Sequence, residues 1–144
     1  MLVMNSPDTV TFSEMALLRL LSSRDHRPNL MIVNETATLE DVLHRLTGVV
    51  EAPVWFCQFP GSLDLQPNIS GTLVLGDIDR MTIDQQIRLS DWLWRRGIDV
   101  QVVSVTRASM TELVADGRFL EGLFYRLNTV VVRAISGSDY GVSL

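Results

Sequence analysis

Lysine is missing from this sequence of 144 residues, and all 12 of its basic residues are arginine. With 17 acidic residues, the formal net charge is −5 at pH 7. Nucleic acids and anionic membranes recruit proteins through basic patches. The charge balance therefore predicts no direct contact with nucleic acid and no membrane contact.

Cysteine and long apolar runs are also scarce. The single cysteine, Cys57, excludes a disulfide within the chain and a cysteine metal cluster, and it is compatible with a reducing compartment. No apolar stretch reaches the roughly 18 residues of a membrane span, and no basic segment followed by an apolar one opens the sequence. These absences predict a cytoplasmic protein with no bound metal.

What the sequence does contain is an alternation of short apolar runs with amphipathic segments. The apolar runs predict buried strands at 30–33, 53–58, from Gly71 onward, 99–105 and 129–132, and helical periodicity predicts helices at 10–23, 39–46, 82–96, 110–115 and 119–127. Strands that alternate with helices predict a three-layer α/β sandwich around a mainly parallel sheet of about five strands.

One domain accounts for this pattern. We place it at 10–135, after a leading segment at 1–9 and before a flexible tail at 136–144 that is rich in Gly and Ser. Residues 59–70 have no periodicity and contain two Pro and a Gly, so we predict a loop there.

The most informative stretch runs from Gly71 to Asp79 and reads Gly-Thr-Leu-Val-Leu-Gly-Asp-Ile-Asp. It predicts a strand buried on both faces, with acids at the carboxyl end, where such sheets bind ligands. In phosphoryl-transfer sites an acid at this place holds the Mg²⁺ shell, and the next one polarises the attacking water. Here the first position is Gly76 and only Asp77 follows. An alternative interpretation is that Asp77 and Asp79 are acidic residues at a strand end with no catalytic role.

Four stretches carry a family resemblance. They are Gly71-Thr-Leu-Val-Leu-Gly-Asp-Ile, Asp99-Val-Gln-Val-Val-Ser-Val-Thr, Glu112-Leu-Val-Ala-Asp-Gly-Arg-Phe and Leu123-Phe-Tyr-Arg-Leu-Asn. These stretches resemble the Walker B, sensor I and arginine-finger regions of the AAA+ domain in sigma-54-dependent transcription activators, from Gly71 to Arg133. The resemblance implies a P-loop NTPase core.

The nucleotide site departs from that family. Where the family's phosphate loop would fall, its glycines are replaced by Asn34, Ala37 and Leu39, and its lysine by Glu40. A P-loop needs glycines so that backbone N–H groups can wrap the β-phosphate, and a lysine to neutralise its charge. The degenerate nucleotide-site positions are Asn34, Glu35, Thr36, Ala37, Thr38, Leu39, Glu40, Gly76, Asp77 and Arg107, the last replacing the sensor asparagine.

The resemblance also implies an interface. Of the two arginines that family members present to a neighbouring subunit's nucleotide, the first is replaced by Leu120 and the second is kept as Arg126. We predict that Arg118, Phe124 and Arg126 contribute to a subunit interface, although a structural salt bridge would explain Arg126 equally well. The loop before Gly71 leaves no room for the paired helices and GAFTGA loop that grip the sigma factor, and we expect neither a lid domain nor a DNA-binding helix-turn-helix.

These features predict a degenerate AAA+ module that does not hydrolyse ATP and that regulates transcription through protein contacts. Its expected partners are its own kind, as a homo-oligomer, or an intact AAA+ activator. No cofactor is expected, with ATP and Mg²⁺ bound weakly at most. One alternative is a weak nucleotide-binding protein or NTPase that uses the helix N-terminus after Asn34. Another is a receiver-like domain for an unknown ligand.

Overall fold

The fold is built on one mixed β-sheet, seen in a computed structural model that describes residues 2–6, 9–12, 28–33, 40, 42, 44, 50–67, 69–96, 100–136 and 139–143. The strands are β1 (Leu2–Ser6), β2 (Thr9–Phe12), β3 (Leu30–Val33), β4 (Val54–Gln58), β5 (Gly71–Gly76), β6 (Val100–Thr106), β7 (Val130–Ser136) and β8 (Asp139–Ser143). The helices are α1 (Ile83–Arg96), α2 (Met110–Ala115) and α3 (Glu121–Leu127), and a 3₁₀ turn spans Ile78–Arg80.

The strand order across the sheet is β1-β2-β8-β7-β3-β6-β5-β4. The five strands from β7 to β4 are mutually parallel, which confirms the predicted parallel sheet. Every residue of β5 and β6 is buried, as expected for strands covered on both faces. Helices α1, α2 and α3 pack on one face through a shared apolar cluster.

The two ends of the chain correct the sequence predictions. Residues 1–9 were expected to be a leading segment and 136–144 a flexible tail, but β1, β2 and β8 extend the sheet in antiparallel order beyond β7. β8 pairs with the edge of β7 that would otherwise be open, β2 pairs with β8, and β1 pairs with β2. The helix predicted from residue 10 is also wrong at its start, because residues 10–12 belong to β2; residues 13–23 lie outside the described part. The β-branched Thr9-Val-Thr favours a strand over a helix.

The amino ends of three strands are tied together by one polar residue, Asn29. Its side-chain Nδ2 donates to the carbonyl of Arg126 at 2.9 Å, and its Oδ1 accepts from the Val102 N–H at 3.0 Å. Its own carbonyl accepts from the Val130 N–H at 3.1 Å. Asn29 thereby fixes β3 against β6 and β7, the two strands that flank it.

The predicted loop between β4 and β5 is ordered against α1. Its side chains Phe59, Leu63 and Ile69 are buried in the core. Three side chains of α1 donate to its backbone: Gln85 to the Gly61 carbonyl at 2.7 Å, Arg88 to the Leu63 carbonyl at 3.2 Å, and Trp92 to the Gln66 carbonyl at 3.1 Å. The described residues of this segment therefore pack against α1.

Candidate functional site

The carboxyl ends of the central strands meet along one edge of the sheet, where parallel α/β sheets bind ligands. The last residue of β3, Val33, is in register with Thr106 on one side and with Arg133 on the other. The last residue of β5, Gly76, is in register with Val105. The sequence-predicted positions around β5 and β6 are thus brought to the same edge as the end of β3.

The predicted phosphate-loop positions follow β3. Residues 34–39 lie outside the described residues, so the prediction for them stays a prediction. Glu40 has helical backbone conformation, and it is exposed.

The acids after β5 have different environments. Asp77 has φ 55 and ψ 52, the left-handed conformation, which aspartate tolerates better than most residues, and it precedes the 3₁₀ turn. The Thr106 hydroxyl lies 3.3 Å from Asp79 Oδ1 and equally far from the Ala108 carbonyl, and it accepts the Ala108 N–H at 3.2 Å. Gly76 contributes no side chain to the edge. Within the described part of the chain, no three His, Cys, Asp or Glu residues are grouped so that they could hold a metal.

Arg126 is bound within its own chain. Its Nη2 donates to the carbonyl of Leu93 at 2.6 Å, and its guanidinium lies 5.3 Å from the centre of the Trp94 ring. Leu93 is near the end of α1, where carbonyls have no partner inside the helix, so Arg126 caps α1. Within the chain, Arg126 therefore contacts a carbonyl and a ring instead of a carboxylate, and its predicted contact with a neighbouring subunit stays a prediction.

Phe124 corrects the interface prediction. Its side chain is only 9% exposed and belongs to the apolar cluster. Phe119, Phe124 and Tyr125 are three aromatics within seven residues, more than one narrow stripe of a helix can bury. Phe119, however, lies before α3, and α3 contacts α1, α2 and β6, which together cover more than one narrow stripe. Of the three, Tyr125 alone is exposed, at 64%.

Arg107 and Arg118 have exposed side chains. Arg118 is positioned by a buried glutamine of α1: the Gln86 amide nitrogen donates to the carbonyls of Met81 at 3.2 Å and Arg118 at 3.1 Å. The Gln86 Oε1 accepts the Leu120 N–H at 2.9 Å. This glutamine fixes the segment before α3, whereas the sequence gives no periodic signal for its role.

A surface that the sequence analysis missed runs along α1. Ile83, Ile87 and Trp94 are 42%, 51% and 77% exposed. Their spacing of four and seven residues places them on one side of the helix. We call these three residues the outer stripe. The other large apolar residues of α1, which are Leu89, Trp92 and Leu93, are buried.

The remaining expectations concern Cys57 and the membrane. Cys57 is a buried free thiol, as predicted. No helix in the described part of the chain is long and apolar enough to cross a membrane.

Superposition on solved structures identifies the class of fold. The chain superposes on NtrX of Brucella abortus in complex with ATP with a TM-score of 0.66 at 18% identity, covering 94% of this chain and 37% of that one. It also superposes on the P-loop NTPase domain of a sigma-54 transport activator from Escherichia coli with a TM-score of 0.52 at 17% identity, covering 77% of this chain and 98% of that one. The chain therefore has the P-loop NTPase fold.

The family follows from the sequence comparison. The model of the sigma-54 interaction domain matches residues 62–135. The chain is 30% identical over 125 residues to UacR of Escherichia coli, a sigma-54-dependent transcriptional regulator by its name, across 78% of this chain and 21% of that protein. This chain belongs to the sigma-54 interaction domain family. It spans between 13% and 26% of the length of the curated relatives it matches.

Proposed function

We propose that this chain is a non-hydrolysing module of the sigma-54-activator type that regulates transcription by binding another AAA+ subunit, of its own kind or of an intact activator. The observation that supports binding of another subunit is the outer stripe. Large exposed apolar patches on soluble proteins usually mark association sites, and Trp is enriched among the residues that dominate binding energy.

The contacts around Trp94 indicate that its side chain is ordered before a partner binds. The Arg126 guanidinium holds one face of the indole, while the side chain is still 77% exposed. A side chain that is already ordered loses less entropy when a partner covers it. Arg126 thus acts through Trp94 in this proposal, and not as a direct arginine finger.

The lack of hydrolysis is supported by the composition of the edge. β5 ends in Gly76, and the next acid, Asp77, has a backbone conformation fixed by the turn that follows. Phosphoryl transfer depends on positioning and on charge stabilisation at the metal and the phosphate. With Glu40 at the lysine position and Arg107 at the sensor position, the groups that would supply both are replaced.

Binding through the outer stripe is tested with matched variants. We predict that Ile87→Gln together with Trp94→Gln abolishes self-association, or co-purification with an intact AAA+ activator, because it removes the two most exposed apolar groups of the stripe. The control is Val54→Thr, which also makes an exposed apolar residue polar but lies on β4. The mass should be measured by light scattering at tens of micromolar, roughly the range of transient contacts.

The outcomes separate clearly. Loss of the complex in the stripe variant with retention in Val54→Thr supports the proposal. A strictly monomeric protein that binds no intact activator contradicts it, as does equal loss in both variants when circular dichroism shows both to be folded.

A further inference from the structure

The face of the sheet that carries α2 and α3 contains a cavity of about 140 Å³. Its floor includes Met31 of β3 and Val131 of β7, and its walls include Phe124 of α3 and Met110 of α2. A cavity of about 150 Å³ lined by apolar side chains holds one benzene molecule. The apolar part of this cavity therefore fits a single ring or a short branched chain.

The mouth of the same cavity is polar. Arg133 is in register with Val33, and paired residues of parallel strands point to the same face, so Arg133 projects to the side of the sheet where Val33 lines the cavity. Its side chain is exposed, and it makes no salt bridge with the residues that the structure describes. A guanidinium that has no acidic partner among the described residues, beside an apolar cavity, favours an anionic group on the ligand.

Two hydroxyls line the other side. Ser109 Oγ and Thr111 Oγ1 lie 3.1 Å apart and both residues line the cavity. One hydroxyl donates to the other, so the second keeps its proton for a ligand oxygen. Neither hydroxyl adds charge, so Arg133 is the one cation among the described residues that line the cavity.

We propose that this cavity binds a small organic monocarboxylate, with its apolar body against Met31, Val131 and Phe124 and its carboxylate toward Arg133 and the hydroxyl pair. Arginine binds carboxylates through two parallel N–H···O bonds, and a single cation matches a single negative charge. A nucleotide does not fit, because drug-sized ligands occupy pockets of roughly 300 Å³ or more. This site is separate from the outer stripe, and it does not depend on the proposed protein contact.

The test uses benzoate as the probe and benzamide as its neutral isostere, followed by ¹H–¹⁵N chemical shifts of the whole chain. We expect saturable benzoate binding with shifts at residues 108–111 and 131–133, and binding weaker by about tenfold or more for benzamide. Arg133→Gln should weaken benzoate binding by a similar factor. Arg107→Gln is the matched control, because Arg107 is an exposed arginine near the same edge that does not line the cavity.

Three results would overturn the assignment. The first is no saturable benzoate binding up to about 10 mM, which is weaker than most specific small-ligand contacts. The second is equally tight binding of benzamide, which would show that the negative charge of the ligand does not contribute to binding. The third is equal weakening by Arg107→Gln and Arg133→Gln, which would show a general field effect instead of a contact.

Discussion

Gly71 and Gly122 show how differently two glycines are constrained. Gly71 opens β5 with φ +92, and a Cβ placed there would collide with the carbonyl and ring nitrogen of Pro53. The close approach is part of the ladder, since the Thr72 N–H donates to the Pro53 carbonyl at 3.0 Å. Gly122 lies in the first turn of α3 with open space where a Cβ would be.

We predict opposite effects for alanine at these two positions. Gly71→Ala should lower the free energy of unfolding by about 1–3 kcal/mol or more, because it combines backbone strain with a steric clash. Gly122→Ala should be neutral or stabilising by up to about 1 kcal/mol, because alanine is the better helix former. Urea denaturation of both variants checks this; equal destabilisation would show that the Pro53 contact is not the reason.

The sequence was least informative about the contacts and the burial of single residues. The retained Arg126 was recognised, but its bond to the Leu93 carbonyl depends on where α1 ends in space, which no local pattern encodes. Burial of Phe124 depends on three elements that surround α3. In contrast, the buried strand at 71–76 was predicted, because a continuous apolar run bounded by glycines is a local signal.

At the level of elements, α1 and the loop between β4 and β5 form one unit. The Thr82 hydroxyl accepts the Gln85 N–H at 3.1 Å, and Gln85 Oε1 accepts the Thr82 N–H at 3.0 Å. This is a reciprocal capping box, formed by a Thr and a Gln three residues later. The same Gln85 donates its amide N–H to the Gly61 carbonyl at 2.7 Å, so one side chain starts the helix and fastens the loop.

The two roles of Gln85 can be separated. Gln85→Glu keeps an acceptor for the Thr82 N–H but loses the donor to the Gly61 carbonyl, so we predict faster hydrogen exchange and proteolysis at residues 59–66 with little change in α1. Gln85→Ala should remove both contacts and lower the free energy of unfolding by about 1–2 kcal/mol. If Gln85→Glu leaves loop exchange unchanged, the buried side chains of the loop alone hold it in place.

The terminal strands show the limit of element prediction. The five parallel strands were expected because each follows or precedes a helix in sequence. β1, β2 and β8 were missed, because β2 joins the sheet through a long-range pairing with β8, and the Gly- and Ser-rich sequence of β8 favours turns.

At the level of the whole molecule, the fold and family were predicted from the stretch after Gly71, which the family model also covers. The candidate site was predicted only in part. Which family positions are replaced stays a prediction from the sequence. The outer stripe and the cavity could not be predicted, because they exist only where α1 packs through its other side and where β7 lies beside β3.

The central proposal is that this P-loop fold binds another AAA+ subunit and does not hydrolyse ATP. Steady-state ATP turnover by the purified chain with Mg²⁺ tests it most directly. We predict turnover below about 0.1 s⁻¹, under the range of ordinary enzymes, and no rescue by Gly76→Asp alone, because the lysine and sensor positions are still replaced. Turnover above that rate that is lost in Asp77→Asn would contradict the account, because it would show a working catalytic edge at the end of β5.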